Sequence, residues 1–162
     1  MRLPLLGPAL AFAISAAPAS ATLVPFKMHF NGAQAGVPES TGTGAGTATL
    51  DTDSNLFSWS ISFSDLLGMT TFAHFHKGAI GDNSGPIQLD TPITPLVLAG
   101  SLSGSATLSD AQEADLLAEL WYHNIHTFHD LTGEIRAQVL LPEPALALGA
   151  ALASALALRR RR

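Results

Sequence analysis

Five side chains combine a reactive type with a suggestive spacing. His74 and His76 lie two residues apart in Thr71-Phe72-Ala73-His74-Phe75-His76-Lys77-Gly78-Ala79. His123 and His126 lie in Trp121-Tyr122-His123-Asn124-Ile125-His126-Thr127-Phe128, and Arg136 lies in Glu134-Ile135-Arg136-Ala137-Gln138-Val139. All three segments read as strands. Side chains alternate faces along a strand, so His74 and His76 project the same way. Two imidazoles held by a stiff backbone can give two ligands to one metal ion. A lone His-x-His is more often a pair of strand histidines hydrogen-bonded at a sheet rim, and the three imidazoles taken together tilt the balance toward metal. Alternation groups His126 with Tyr122 and Asn124 and turns His123 to the opposite face, so at most one of these two joins His74 and His76.

The chain contains no cysteine, so a transition-metal site has to be built from histidine and carboxylate. Imidazole suits both copper and zinc, and copper binds the more tightly at a given nitrogen site. Each ligand's free ring nitrogen needs an acceptor, for which Asp82 and Asn124 are candidates beside their plain roles as turn and strand residues. The plain role of Arg136 is to pair with Glu134 or another acid. No role follows for His29, His123 or His129.

The elements that would position these groups are mostly strands. Leu23 to Phe30 reads as the first, turned by Asn31-Gly32; Gly36 to Gly46 has a loop composition; Thr47 to Asp51 is a short second strand. The clearest alternation is Phe57, Trp59, Ile61 and Phe63 against Leu56, Ser58, Ser60 and Ser62, which predicts one buried aromatic face and one mostly wet one. The His-x-His strand follows after Asp65-Leu66-Leu67-Gly68 and is expected to be its antiparallel neighbour. Pro86 to Leu89 and Pro95 to Leu98 read as short edge strands, and Ser101 to Leu108 as a weaker one. Ser109-Asp110-Ala111-Gln112 is a capping box opening one short helix through Leu120. The expected fold is all-β: an antiparallel sandwich or flattened barrel of about seven to nine strands with that single helix.

The ends have another character. Met1-Arg2, the apolar run Leu3 to Ala17 and Ala19-Ser20-Ala21 form a signal-peptide pattern over residues 1–21, leaving one domain at 22–141 in an exported protein. From Thr22 to Leu141 there are 12 acidic and 3 basic residues (Lys27, Lys77, Arg136), a balance of −9 against −5 for the whole chain. Nucleic acid is therefore a poor partner. Residues 142–162 comprise Pro142-Glu143-Pro144, an apolar run at 145–158 and Arg159 to Arg162. As a helix that run spans about 21 Å, short of a bilayer's ~30 Å hydrocarbon core, so transient insertion is expected more than a permanent anchor.

Three segments together resemble the chordin-type or CHRD domain family. They are Phe30-Asn31-Gly32-Ala33-Gln34 through Val37-Pro38 and Gly42 to Ala45; Ala73 to Ala79; and Tyr122 to Thr127 with Gly133-Glu134-Ile135-Arg136. The resemblance implies a secreted all-β domain and no settled chemistry; Ala137, His123 and His129 depart from the usual pattern. The tail resembles the PEP-CTERM sorting signal, which implies an envelope or extracellular-matrix protein of a Gram-negative bacterium, trimmed by an exosortase. A more distant resemblance is to copper/zinc superoxide dismutases, in the order His74, His76, Gly81-Asp82-Asn83, His126, Arg136. It implies Greek-key connectivity, His74, His76 and His126 as copper ligands, and Arg136 as a catalytic residue drawing superoxide, a small anion, to the metal. Missing disulfide cysteines and an incomplete zinc set depart from that pattern. Two functions follow: a metal-binding, redox-active domain, or a matrix or adhesion scaffold whose histidines are structural.

Overall fold

The structure, a computed structural model, describes residues 22–142. The expected leader and the tail beyond Pro142 lie outside them. Among the described residues, eight strands form one antiparallel sheet: β1 (Leu23–Asn31), β2 (Thr43–Asp51), β3 (Leu56–Ser64), β4 (Thr70–Lys77), β5 (Ile87–Asp90), β6 (Gly100–Thr107), β7 (Trp121–Thr127) and β8 (Ile135–Gln138). Their order in the sheet is β5-β4-β7-β8-β1-β2-β3-β6. The chain crosses from one end of the sheet to the other after β3, back after β5, and again after β6, a Greek-key pattern.

β3 and β4 are far apart in that order, yet Phe57 and Trp59 of β3 each meet Phe75 of β4 edge-on with ring centroids 5.3 Å apart. The sheet therefore curls until the inner faces of its two halves pack together. Inward residues Val24, Phe26, Met28, Leu50, Phe57, Ile61, Phe75, Trp121 and Ile125 make one core, each large side chain contributing roughly 1.5–3 kcal/mol by burial. The seam is laced by Leu66 N to Leu98 O (3.2 Å) and Thr70 N to Val97 O (2.9 Å).

Several expectations needed correction. The His-x-His strand is not the neighbour of β3: Leu66 plugs the core, and the link carries the chain across the barrel end instead of closing a hairpin, so β4 pairs with β5 and β7. Pro95 to Leu98 is a crossing segment, not a strand, although its carbonyls hold the seam. A second helix, α1 (Gly32–Ala35), stands where a turn was expected, because Asn31 Oδ1 caps Gln34 N at 2.8 Å. The start of β2, expected as loop, is strand because Thr43 to Gly46 pair with both β1 and β3, and glycine occupies positions there where a side chain would not fit. A Cβ at Gly46 would come within 2.8 Å of Ile61 and 2.9 Å of Met28. The longer helix, α2 (Asp110–Leu117), opens on the expected Ser109–Gln112 capping box.

Candidate metal centre

β4 places His74 and His76 on the outer face of the sheet, with Ala73 and Phe75 turned into the core. β7 lies beside it with His74 opposite Asn124 and His76 opposite Tyr122, which brings His126 to the same outer face. One nitrogen from each of His74, His76 and His126 lies within 4.8 Å of the other two. This cluster can hold a metal ion. His123 points the other way, as alternation predicts: it is fully buried, edge-on to Phe75 at 4.6 Å and 2.9 Å from Thr91 Oγ1. His29 and His129 are exposed and are not part of the cluster.

The ring nitrogens that face away from the centre determine what the others offer. His76 Nδ1 lies 2.9 Å from Gly85 O and His126 Nδ1 lies 3.0 Å from Leu131 O. A carbonyl only accepts, so both Nδ1 atoms carry the proton and both Nε2 atoms present lone pairs to the centre. His126 Nε2 is 3.2 Å from His74 Nδ1, which therefore donates to it in the metal-free molecule. A metal ion at His74 Nδ1 needs that proton on Nε2, where the Asp90 carboxylate stands 3.5 Å away. His76 Nε2 is buried and has no hydrogen-bond partner. An orphaned buried lone pair is costly, and this one points into a nitrogen cluster.

Burial lowers the pKa of His74, with the neighbouring His76 adding to the effect and Asp90 opposing it. Burial also lowers that of His126, against the carbonyl of Leu131. Both effects favour the neutral, metal-binding form near neutral pH. The Leu131 carbonyl is presented by a tight loop in which Asp130 Oδ1 accepts from Thr132 N at 2.7 Å and Thr132 Oγ1 at 2.6 Å.

A family model for the CHRD domain matches residues 26–139, most of the chain. The chain belongs to the CHRD-domain family. CHRD domains are typically extracellular. No curated protein and no solved structure matches the chain.

Within this CHRD domain, neither Asp82 nor Asn124 serves the ligands' free nitrogens as expected. Asp82 caps its own turn through Ser84, and Asn124 Nδ2 donates to Thr132 O; backbone carbonyls of Gly85 and Leu131 take the role. Such carbonyls carry no side-chain signature, so only the Gly-rich and Asp-Leu-Thr-Gly loop compositions could have pointed to them. Arg136 is fully buried. Its Nη2 donates to Ala79 O at 3.1 Å, Asp82 O at 3.2 Å and Gln138 Oε1 at 2.6 Å, and its Cζ sits 4.1 Å from the centre of the Tyr122 ring. Glu134 is not its partner. That buried carboxylate accepts instead from Ser40 Oγ, Leu67 N, Gly68 N and Thr127 Oγ1, donors that together hold its pKa down against burial.

Proposed function

We propose that this CHRD domain is an exported metal-binding module whose His74, His76 and His126 take up copper in preference to zinc. The observation that carries the reading is the buried, unpartnered Nε2 of His76, facing the ring nitrogens of His74 and His126. Three neutral nitrogen donors with oriented rings suit both ions, and copper binds such a set more tightly. Copper would supply one-electron chemistry, for which superoxide is the proposed reactant. In that reaction His74, His76 and His126 hold the ion. Arg136, fully buried with its Nη2 held by Ala79 O, Asp82 O and Gln138 Oε1, attracts an anion through its charge at a distance and not by contact.

Elemental analysis of purified protein after metal loading tests the core of this. Near one equivalent of copper is expected, lost on changing His74, His76 and His126 together to alanine; no uptake, or uptake indifferent to those changes, defeats it. A superoxide assay on the loaded protein decides the redox extension. If copper binds without activity, a matrix or adhesion scaffold with a structural ion is the reading left. Residues 1–21 are proposed as the export signal and 142–162 as an exosortase substrate that inserts transiently in the membrane of a Gram-negative bacterium. A mature mass that retains Arg159 to Arg162 contradicts the latter.

A further inference from the structure

Two buried polar residues next to the imidazole cluster are not ligands in the metal reading: Tyr122, which it leaves unused, and Arg136, to which it gives only a charge acting at a distance. Tyr122 on β7 stacks against His76 on β4, with ring centroids 5.0 Å apart and planes inclined by only 6°. Arg136 on β8 stands over the same phenol, and because β4 and β8 flank β7, imidazole and guanidinium approach it from opposite sides. The connection from β4 to β5 passes over all three. Its near end is fixed by Arg136 at Ala79 O and Asp82 O and by Gln138 Nε2 at Gly78 O, 3.0 Å. Its far end is fixed at Gly85, whose N–H donates to Tyr122 Oη at 3.2 Å while its carbonyl accepts from His76 Nδ1. Gly85 has to be glycine there, since an added Cβ would run into the Lys77 carbonyl.

We infer that Arg136 and Tyr122 are positioning residues: they hold residues 78–85 so that the Gly85 carbonyl keeps the proton of His76 on Nδ1 and its Nε2 free for metal. A neutral imidazole in water is a mixture of two tautomers, and only one presents the lone pair to the cluster. A single carbonyl at 2.9 Å selects it, and that carbonyl's place is set by the Tyr122 hydroxyl and the Arg136 guanidinium, together with the adjacent backbone bond from Lys77 N to Pro86 O at 2.9 Å. The inference rests on the proposed metal site, but the tautomer is a property of the metal-free chain.

Nitrogen-15 NMR of the histidine rings in the full-length, metal-free protein reads it directly. In the unsubstituted chain His76 is expected as the Nδ1–H tautomer alone. Tyr122→Phe keeps the ring stack and removes the hydroxyl; a mixed tautomer at His76 is expected, with affinity for Cu(II) about tenfold weaker, the effect of losing support behind a ligand. Arg136→Lys, which keeps the charge but not the forked geometry, is expected to shift the mixture the same way, while Arg136→Gln shifts it further. An unchanged His76 tautomer in Tyr122→Phe overturns the inference, whether or not the Arg136 variants fold. Failure of the unsubstituted chain to take up Cu(II) counts against the metal reading alone and leaves the tautomer result standing.

Discussion

β3 and β7 belong to the same sheet and differ in what lies over their outer faces. β3 alternates as an antiparallel strand with one wet side should: Phe57, Trp59, Ile61 and Phe63 are buried, while Leu56 and Ser60 are exposed. In β7 all seven residues are buried. Its inner side holds Trp121, His123 and Ile125; its outer side holds Tyr122, Asn124 and His126 beneath the connections at 78–86 and 128–133. A strand with one solvated face needs only an apolar stripe. One covered on both sides must find partners for its outward polar groups in the covering loops: loop carbonyls accept from His76 Nδ1, His126 Nδ1, Asn124 Nδ2 and Arg136 Nη2, while His76 Nε2, Asn124 Oδ1 and Arg136 Nε are left without a partner. The polar, doubly covered half is therefore the rigidly specified one, and the candidate site lies there.

The covered half depends most on Glu134. Replacing it by alanine strands the Leu67 and Gly68 amides and the Thr127 hydroxyl, so a loss of roughly 3–5 kcal/mol is expected in urea unfolding. A loss no larger than that of a surface change would mean the covering loops do not depend on it. Next in size is the metal. Copper at a hundredfold excess over its Kd should raise unfolding free energy by about 2.7 kcal/mol. His126→Ala should abolish that gain, and a gain that survives would place the ion elsewhere.

Proton uptake sharpens the contrast further. His74, His123 and His126 all lie in the covered half, and burial lowers the pKa of each below the ordinary 6.5, that of His123 the most. Near pH 6.5 the unfolded chain takes up protons that the folded domain refuses. The stability tied to the neutral rings is thus complete above that pH and is lost as pH falls from there toward the folded values. The slope reaches about 1.4 kcal/mol per pH unit for each proton that differs. Metal-free unfolding at about pH 7.5 and at about pH 5 measures it, and His123→Leu should reduce the slope. Equal stability at both pH values would contradict burial of these rings. Smallest of all is Ser60→Ala on the wet face of β3, expected to change stability by no more than about 0.5 kcal/mol; a cost several times greater would mean that face is covered too.

Alternation along single segments was enough to pair His74 with His76, to put His123 and His126 on opposite faces and to find the aromatic core stripe, because the face of a strand residue is a local property of the pleat. Which of His123 and His126 joins the pair was decided by the pairing of β4 with β7. The capping box at Ser109 was legible for the same reason: its partners are three residues apart. Strand adjacency was not, since Leu66 had to find the core before the link after β3 could become a crossover. Nor could sequence say which atoms would support the ligands. The acceptors are main-chain carbonyls of Gly85 and Leu131, identical in kind to those of every other residue, and only the packing of two loops over β7 brought them within hydrogen-bonding distance of imidazole. Residue type and period thus determined which rings of one strand share a face; the long-range closure of the sheet and its loops decided which strand's ring joins the pair and which lone pair each ring turns toward the others.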